Sequence, residues 1–91
     1  MKNVTILHLN GCPYCRSARR ALQALAAESP AYAAVPVEWV EETEQPERTQ
    51  GLDYWYVPSV FVGGEKLYEA HPGDSYDTIL THLRAALDAA L

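Results

Sequence analysis

The sequence predicts an α/β fold, a four-stranded mixed sheet flanked by helices in the order β-α-β-α-β-β-α. Three observations predict it. An apolar, β-branched run from Val4 to Leu9 changes to a helical repeat after Gly11. A second alternating strand follows that helix and completes a βαβ unit. Late in the chain, Gly63-Gly64 separates two short strand-like segments, and an apolar stripe at helical spacing comes last.

The elements follow in order. VTILHL, Val4 to Leu9, is nearly all apolar or β-branched, the pattern of a strand covered on both faces. His8 is its odd member, expected to sit tucked in or at the sheet end with a hydrogen-bond partner. From Pro13 the chain reads PYCRSARRALQALAAES. Ala18, Ala21, Leu22 and Leu25 recur at helical spacing, while Arg16, Arg19, Arg20 and Gln23 fall mostly elsewhere. Pro13 suits the first helical position, where its missing N–H costs nothing. Ser29-Pro30 ends the helix. In the next strand, Val35 to Val40, the residues Val35, Val37 and Trp39 alternate onto one face, and the crossover should be right-handed.

Glu38 to Glu47 holds five carboxylates. They read as a solvated turn or helix start, since no regular ligand spacing suggests a metal site. Gln45-Pro46-Glu47 opens a short helix that Gly51 closes. Ser59 to Val62 is a third, buried strand, Gly63-Gly64 the turn, and Lys66 to Glu69 the antiparallel return. His71-Pro72-Gly73 breaks the chain. Asp74 or Ser75 then caps a last helix with Ile79, Leu80, Leu83, Leu87 and Leu91 as its apolar stripe. Asp74 and Asp77 suit the positive end of its dipole.

Ninety-one residues are expected to form a single domain, 1–91. The formal net charge of -5 argues against a nucleic-acid partner, which would need a basic stripe. The cluster Arg16, Arg19 and Arg20 is better explained beside the neighbouring cysteines. MKNVTILHLN does not read as a signal peptide, because its apolar run is short and interrupted by His8 and Asn10. No stretch is long enough to span a membrane. The expected location is the cytoplasm, where a structural disulfide does not persist.

GCPYC, Gly11 to Cys15, holds both cysteines of the chain. If Pro13 opens the helix, Cys12 is its N-cap. Unpaired backbone N–H groups and the positive end of the dipole then face its sulfur, and both favour thiolate over thiol. Arg16, one turn on, adds positive charge. Cys15 falls one turn into the helix, more buried, with its sulfur within disulfide reach of Cys12. The roles then separate: Cys12 attacks a disulfide and Cys15 resolves the mixed disulfide. A structural zinc site would need four ligands, and His8, His71 and His82 lack finger or ribbon spacing. Val57-Pro58 is the second element. A proline at the head of a strand fits a cis bond beside a docking peptide, and fits equally a proline that merely starts a strand.

Cys12-Pro13-Tyr14-Cys15 after the first strand, with Val57-Pro58 opening VPSVFVGGEKL, resembles the glutaredoxins of the thioredoxin superfamily. The element order matches across nearly the whole chain. The resemblance implies a thioredoxin-like fold and thiol–disulfide oxidoreductase activity on protein disulfides or glutathione mixed disulfides. It implies Cys12 as nucleophile, Cys15 as resolving thiol and Pro58 as cis-proline. Carried over by position, Tyr14 and Val57 would contact glutathione, and Asp74 and Ser75 would receive its γ-glutamyl end. The chain departs from the family pattern at three places. Leu9-Asn10-Gly11 lacks the usual lysine, Tyr56 replaces a threonine, and His71-Pro72-Gly73-Asp74 replaces Gly-Gly-x-Asp. Arg16 is the candidate for the missing charge. The expected protein is a monomer with no resident cofactor or metal, re-reduced by glutathione or a thioredoxin-reductase-like donor. Two other readings of the cysteine pair are a metal or iron–sulfur binding module and a redox sensor.

Overall fold

The computed structural model describes residues 1–91. Strands β1 (Val4–His8), β2 (Val37–Glu41), β3 (Ser59–Val62) and β4 (Glu65–Glu69) form one sheet in the order β2-β1-β3-β4. β1 and β2 run parallel, while β3 is antiparallel to both β1 and β4. The helices are α1 (Pro13–Glu28), α2 (Pro30–Ala33) and α3 (Tyr76–Ala90), and Pro46–Arg48 forms one 3₁₀ turn. This is the mixed α/β sheet that the sequence predicts.

Two details differ from expectation. Ser29 and Pro30 stop α1 as anticipated, but they also start α2. The Ser29 N–H donates to the Leu25 carbonyl, and its hydroxyl accepts from the Tyr32 N–H at 3.3 Å. A serine followed by proline is a stop signal for one helix and an N-cap with a preset first residue for the next. The second difference is the placement of the helices. Both long helices pack on the same face of the sheet rather than flanking it. Val4, Ile6, Val60 and Val62 meet Ala18, Ala21 and Leu25 of α1 and Ile79, Leu83 and Leu87 of α3 in a cluster of 15 buried residues. On the other face only Leu7, Val40 and Phe61 are buried together, under Leu52, Tyr54 and Val57. The chain between β2 and β3 forms just one 3₁₀ turn, so an irregular segment covers that face.

The register gathers four segments at one end of the sheet. His8 pairs with Glu41, Leu7 with Ser59, and Ser59 with Glu69. The loop after β1, the end of β2, the approach to β3 and the exit from β4 therefore lie together. At the opposite end, Gly63 and Gly64 take φ of 57° and 87°. Two successive positive φ values make the tight hairpin turn that matches strand twist, which is why glycine stands at both positions.

Candidate active site

The cysteines stand where β1 hands over to α1. Gly11 takes φ of 82° to turn the chain, with open space around its Cα. Cys12 is the N-cap of α1 and Pro13 its first residue. The Cys15 N–H donates to the Cys12 sulfur at 3.3 Å, and the Arg16 N–H donates to the Cys12 carbonyl at 3.0 Å. One of the orphan donors of the helix start is thus aimed at the sulfur. The Cys12 thiol in turn donates to the Val57 carbonyl across 3.9 Å. Cys12 is half-buried, whereas Cys15 is 3% exposed. Burial above all, with the neighbouring Cys12 adding to it, pushes the Cys15 thiol up to about 12 against the pull of a Leu9 backbone hydrogen bond and the charge of Arg19. Both thiols are free.

The Val57–Pro58 bond is cis. Pro58 is buried, and its carbonyl accepts from the Ala70 N–H at 3.0 Å. The Val57 carbonyl faces the Cys12 end of α1. Ser59 steadies this approach by donating its hydroxyl to the Tyr56 carbonyl at 2.6 Å.

Tyr14 reaches the other side of the site. Its hydroxyl accepts from the Gly73 N–H at 2.7 Å, which ties the first turn of α1 to the loop before α3. Of the two candidates for the α3 N-cap, Ser75 takes the role by accepting from the Thr78 N–H at 3.1 Å. Asp74 instead accepts from the Tyr68 hydroxyl at 2.6 Å and the His71 N–H at 2.9 Å. The Tyr68 and His71 hydrogen bonds hold its carboxyl below the usual range. Cys12, Cys15, Tyr14, Val57, Pro58, Asp74 and Ser75 therefore share one end of the molecule. Arg16 is exposed one turn into α1, and the three ion pairs of the fold use Arg48, Lys66 and Arg84 instead.

Arg19 and Arg20 stack on aromatic rings, and of the two only Arg19 also acts on a thiol, lowering that of Cys15. The guanidinium of Arg19 lies 4.1 Å over the Trp39 ring, and that of Arg20 lies 4.8 Å over the Tyr76 ring. Each is a cation–π contact that pins α1 to a neighbouring element. His8 is buried as expected, but its ring meets Trp39 edge-on at 5.5 Å instead of finding a hydrogen-bond partner. A cavity of about 180 Å³ opens beside this stack, lined by Arg19, Leu22, Gln23, Ala26 and Trp39, none of them a site residue.

Sequence reasoning missed two carboxylates that shape the site. Glu41 stands in the acidic run read as solvated, yet it is 6% exposed. Its carboxylate accepts from the Thr43 hydroxyl and N–H, both at 2.6 Å, from the Glu44 N–H, and from the Asn10 N–H at 3.1 Å. These bonds, Thr43 first and Asn10 second, hold its carboxyl down to about 2. Glu41 thereby anchors the loop that leads into Cys12. Glu69 accepts from the Trp55 and Tyr56 N–H groups at 2.5 and 2.7 Å and anchors the approach to Pro58. A glutamate at the end of a strand, whether inside an acidic run like Glu41 or alone like Glu69, gives no sequence signal for either role.

The arrangement can present one sulfur to a partner, keep a second sulfur covered one helical turn away, and offer an exposed backbone edge at Val57. No three His, Cys, Asp or Glu side chains converge anywhere to hold a metal ion. No helix is long and apolar enough to cross a membrane. A search of curated proteins finds no match to the chain. Comparison with models of known families matches residues 4–67 to Glutaredoxin. The matched span takes in both cysteines and Val57-Pro58, and stops before Asp74 and Ser75. With the sheet order, the helix-capping cysteine and the cis-proline in place, the match shows that the chain belongs to the glutaredoxin family, within the thioredoxin superfamily.

Proposed function

We propose that the chain is a thiol–disulfide oxidoreductase that reduces protein disulfides or glutathione mixed disulfides, with Cys12 as nucleophile and Cys15 as resolving thiol. The asymmetry of the pair carries this reading. Cys12 is accessible at a helix start with an N–H on its sulfur, while Cys15 is covered and held protonated. Only a thiolate attacks a disulfide.

In the first step the Cys12 thiolate attacks one sulfur of the substrate. The substrate S–S bond breaks, a Cys12–substrate disulfide forms, and the other substrate sulfur leaves as a thiolate that takes up a proton. In the second step Cys15 loses its proton and attacks the Cys12 sulfur. The second substrate thiol is released, and the protein keeps a Cys12–Cys15 disulfide. Two electrons and two protons have passed to the substrate. Glutathione or a reductase dithiol then restores the pair. The order is favoured by the site itself. Two influences that raise Cys15, its hydrogen bond and charge interaction with Cys12, vanish once Cys12 is bound in a mixed disulfide.

An extended substrate segment beside Cys12 gains backbone pairing with Val57. Protein disulfides suit the site better than glutathione does. The Tyr14 hydroxyl and the Gly73 N–H are bonded to each other, one Asp74 oxygen already accepts two hydrogen bonds, and Leu9-Asn10-Gly11 lacks the lysine usual in the family. We read residues 1–91 as one monomeric domain acting in the cytoplasm, whose glutathione poise runs the reaction towards reduction.

The test is equilibration in graded mixtures of reduced and oxidised glutathione, quenched in acid and read by intact mass. A reversible loss of two hydrogens at a defined ratio supports a dithiol couple. No disulfide at any ratio contradicts it. Cys12→Ser is expected to abolish exchange with a protein disulfide, and Cys15→Ser to trap the mixed disulfide on Cys12.

A further inference from the structure

The thiols, the cis-proline and the loop before α3 do not use the aromatic triplet Tyr54-Trp55-Tyr56. Tyr54 is half-buried under the lightly covered sheet face. Trp55 is 87% exposed and Tyr56 50% exposed. The other large exposed apolar side chains are Met1 and Leu91 at the termini and Leu67 on the edge strand. A tryptophan with nearly all its surface in water loses the burial that would otherwise stabilise it, so its place calls for a reason.

The exposure is built into the backbone. One oxygen of Glu69 accepts both the Trp55 and Tyr56 N–H groups, and the Lys66 ammonium bridges the other Glu69 oxygen at 2.9 Å to the Asp53 carbonyl at 2.7 Å. The Tyr56 carbonyl is held by Ser59. The segment is thus tied down on both sides of Trp55 while the indole points away from the core. Its position is equally specific. The Val57 carbonyl lies 3.9 Å from the Cys12 sulfur, and Trp55 is two residues, at most about 7 Å of chain, before Val57.

We infer that Trp55 and Tyr56 form a docking platform for the stretch of a substrate protein that lies along Val57, and that this stretch carries arginine or lysine. This rests on the reading of Cys12 as the nucleophile that attacks protein disulfides. Charge selects the occupant. Glu69 holds the Trp55 and Tyr56 N–H groups and is offset by Lys66, Glu42 accepts from the Tyr54 hydroxyl, and Asp53 precedes the triplet in the chain. A cationic side chain meets this excess of carboxylates over cations and two exposed aromatic side chains, both of which attract it. An acidic segment meets the same carboxylates and is repelled.

The test uses two cyclic nonapeptides with one internal disulfide, identical except that two arginines in one are glutamates in the other. Pre-reduced protein is mixed with each, quenched in acid and read by mass for single-turnover rates. The arginine peptide is expected to react about tenfold faster, and 0.5 M salt to shrink that ratio. Trp55→Ala should bring the two peptides within about twofold of each other while leaving the rate with hydroxyethyl disulfide unchanged. Equal rates with the unaltered protein, or an undiminished ratio in Trp55→Ala, would overturn the platform. If neither peptide nor hydroxyethyl disulfide reacts, the nucleophile reading fails, and the platform is judged by binding alone. The arginine peptide with both cysteines replaced by serine should then shift the Trp55 indole N–H resonance, and the glutamate version should not. Absence of that shift overturns the platform.

Discussion

The two faces of the sheet are built differently. One carries α1 and α3 and closes over a cluster of 15 buried residues. The other buries three, beneath a segment whose regular structure is a single 3₁₀ turn. Each face supplies one half of the site. The packed face holds α1, and with it Cys15 and the N-cap position of Cys12. The light face carries the segment that ends in Tyr56, Val57 and Pro58. Close packing holds the two sulfurs one helical turn apart, a geometry that tolerates little error. The partner-facing side needs adaptable contact more than rigidity, and there a few hydrogen bonds to Glu69 and Lys66 replace a core. On the proposed function, stability and substrate contact are thereby divided between the two faces.

The largest expected effect on folding breaks this comparison most directly. Leu83→Ala, at 1% exposure in the packed face, should cost about 3–4 kcal/mol in urea unfolding. Leu52→Ala on the light face removes the same atoms from a half-buried site and should cost roughly 1 kcal/mol. Equal costs would mean that the two faces are not unequal supports.

Acid provides the second test. The Glu41 carboxyl titrates at about 2 in the folded chain against an ordinary value of 4.5. As pH falls below 4.5 the unfolded chain takes up this proton first, so Glu41 stabilises the fold fully above that value. Its contribution is lost progressively between 4.5 and about 2. Glu41→Gln should flatten the stability profile across that window in urea titrations at successive pH values. It should also speed hydrogen exchange at the Asn10 amide, which donates to this carboxylate. An unchanged profile would show that Glu41 does not anchor the loop before Cys12.

The smallest expected effect concerns Tyr14. Tyr14→Phe removes the acceptor for the Gly73 N–H, an exposed hydrogen bond, and should cost roughly 1 kcal/mol or less. The ring still packs on the main cluster, so a larger loss would mean that the hydroxyl itself supports the join between α1 and α3.

Much of this was legible in the sequence because it obeys local rules. Cys12 before Pro13 is an N-cap by position and Gly63-Gly64 names its own turn, while Val57-Pro58 at the head of a strand left the cis bond open until the family resemblance implied it. The pairing of β1 with β2 followed from the parallel βαβ unit and that of β3 with β4 from the hairpin, whereas the pairing of β1 with β3 had no local signal. What sequence reasoning missed is held by contacts distant along the chain. Asn10 and Glu41 are 31 positions apart, and Tyr14 and Gly73 are 59 apart. The burial of Glu41 was invisible because four other carboxylates surround it in the same run. Arg19 and Arg20 both read as charges for the thiols because they are near in sequence, but only the charge of Arg19 reaches Cys15. Their partners, Trp39 and Tyr76, come from other elements. The single-sided placement of the helices escaped because periodicity gives the apolar stripe of a helix but not the sheet face that receives it.

The central claim is the division of labour between the two sulfurs. The most direct measurement is the alkylation rate of each cysteine in the reduced protein, followed by iodoacetamide labelling at pH 8 and peptide mass analysis. With its thiol pushed up to about 12, Cys15 is about one part in ten thousand thiolate at that pH and is shielded as well. The account predicts a single fast label on Cys12, with Cys15 at least about a hundredfold slower. Comparable rates at the two cysteines, or Cys15 labelling first, would contradict it.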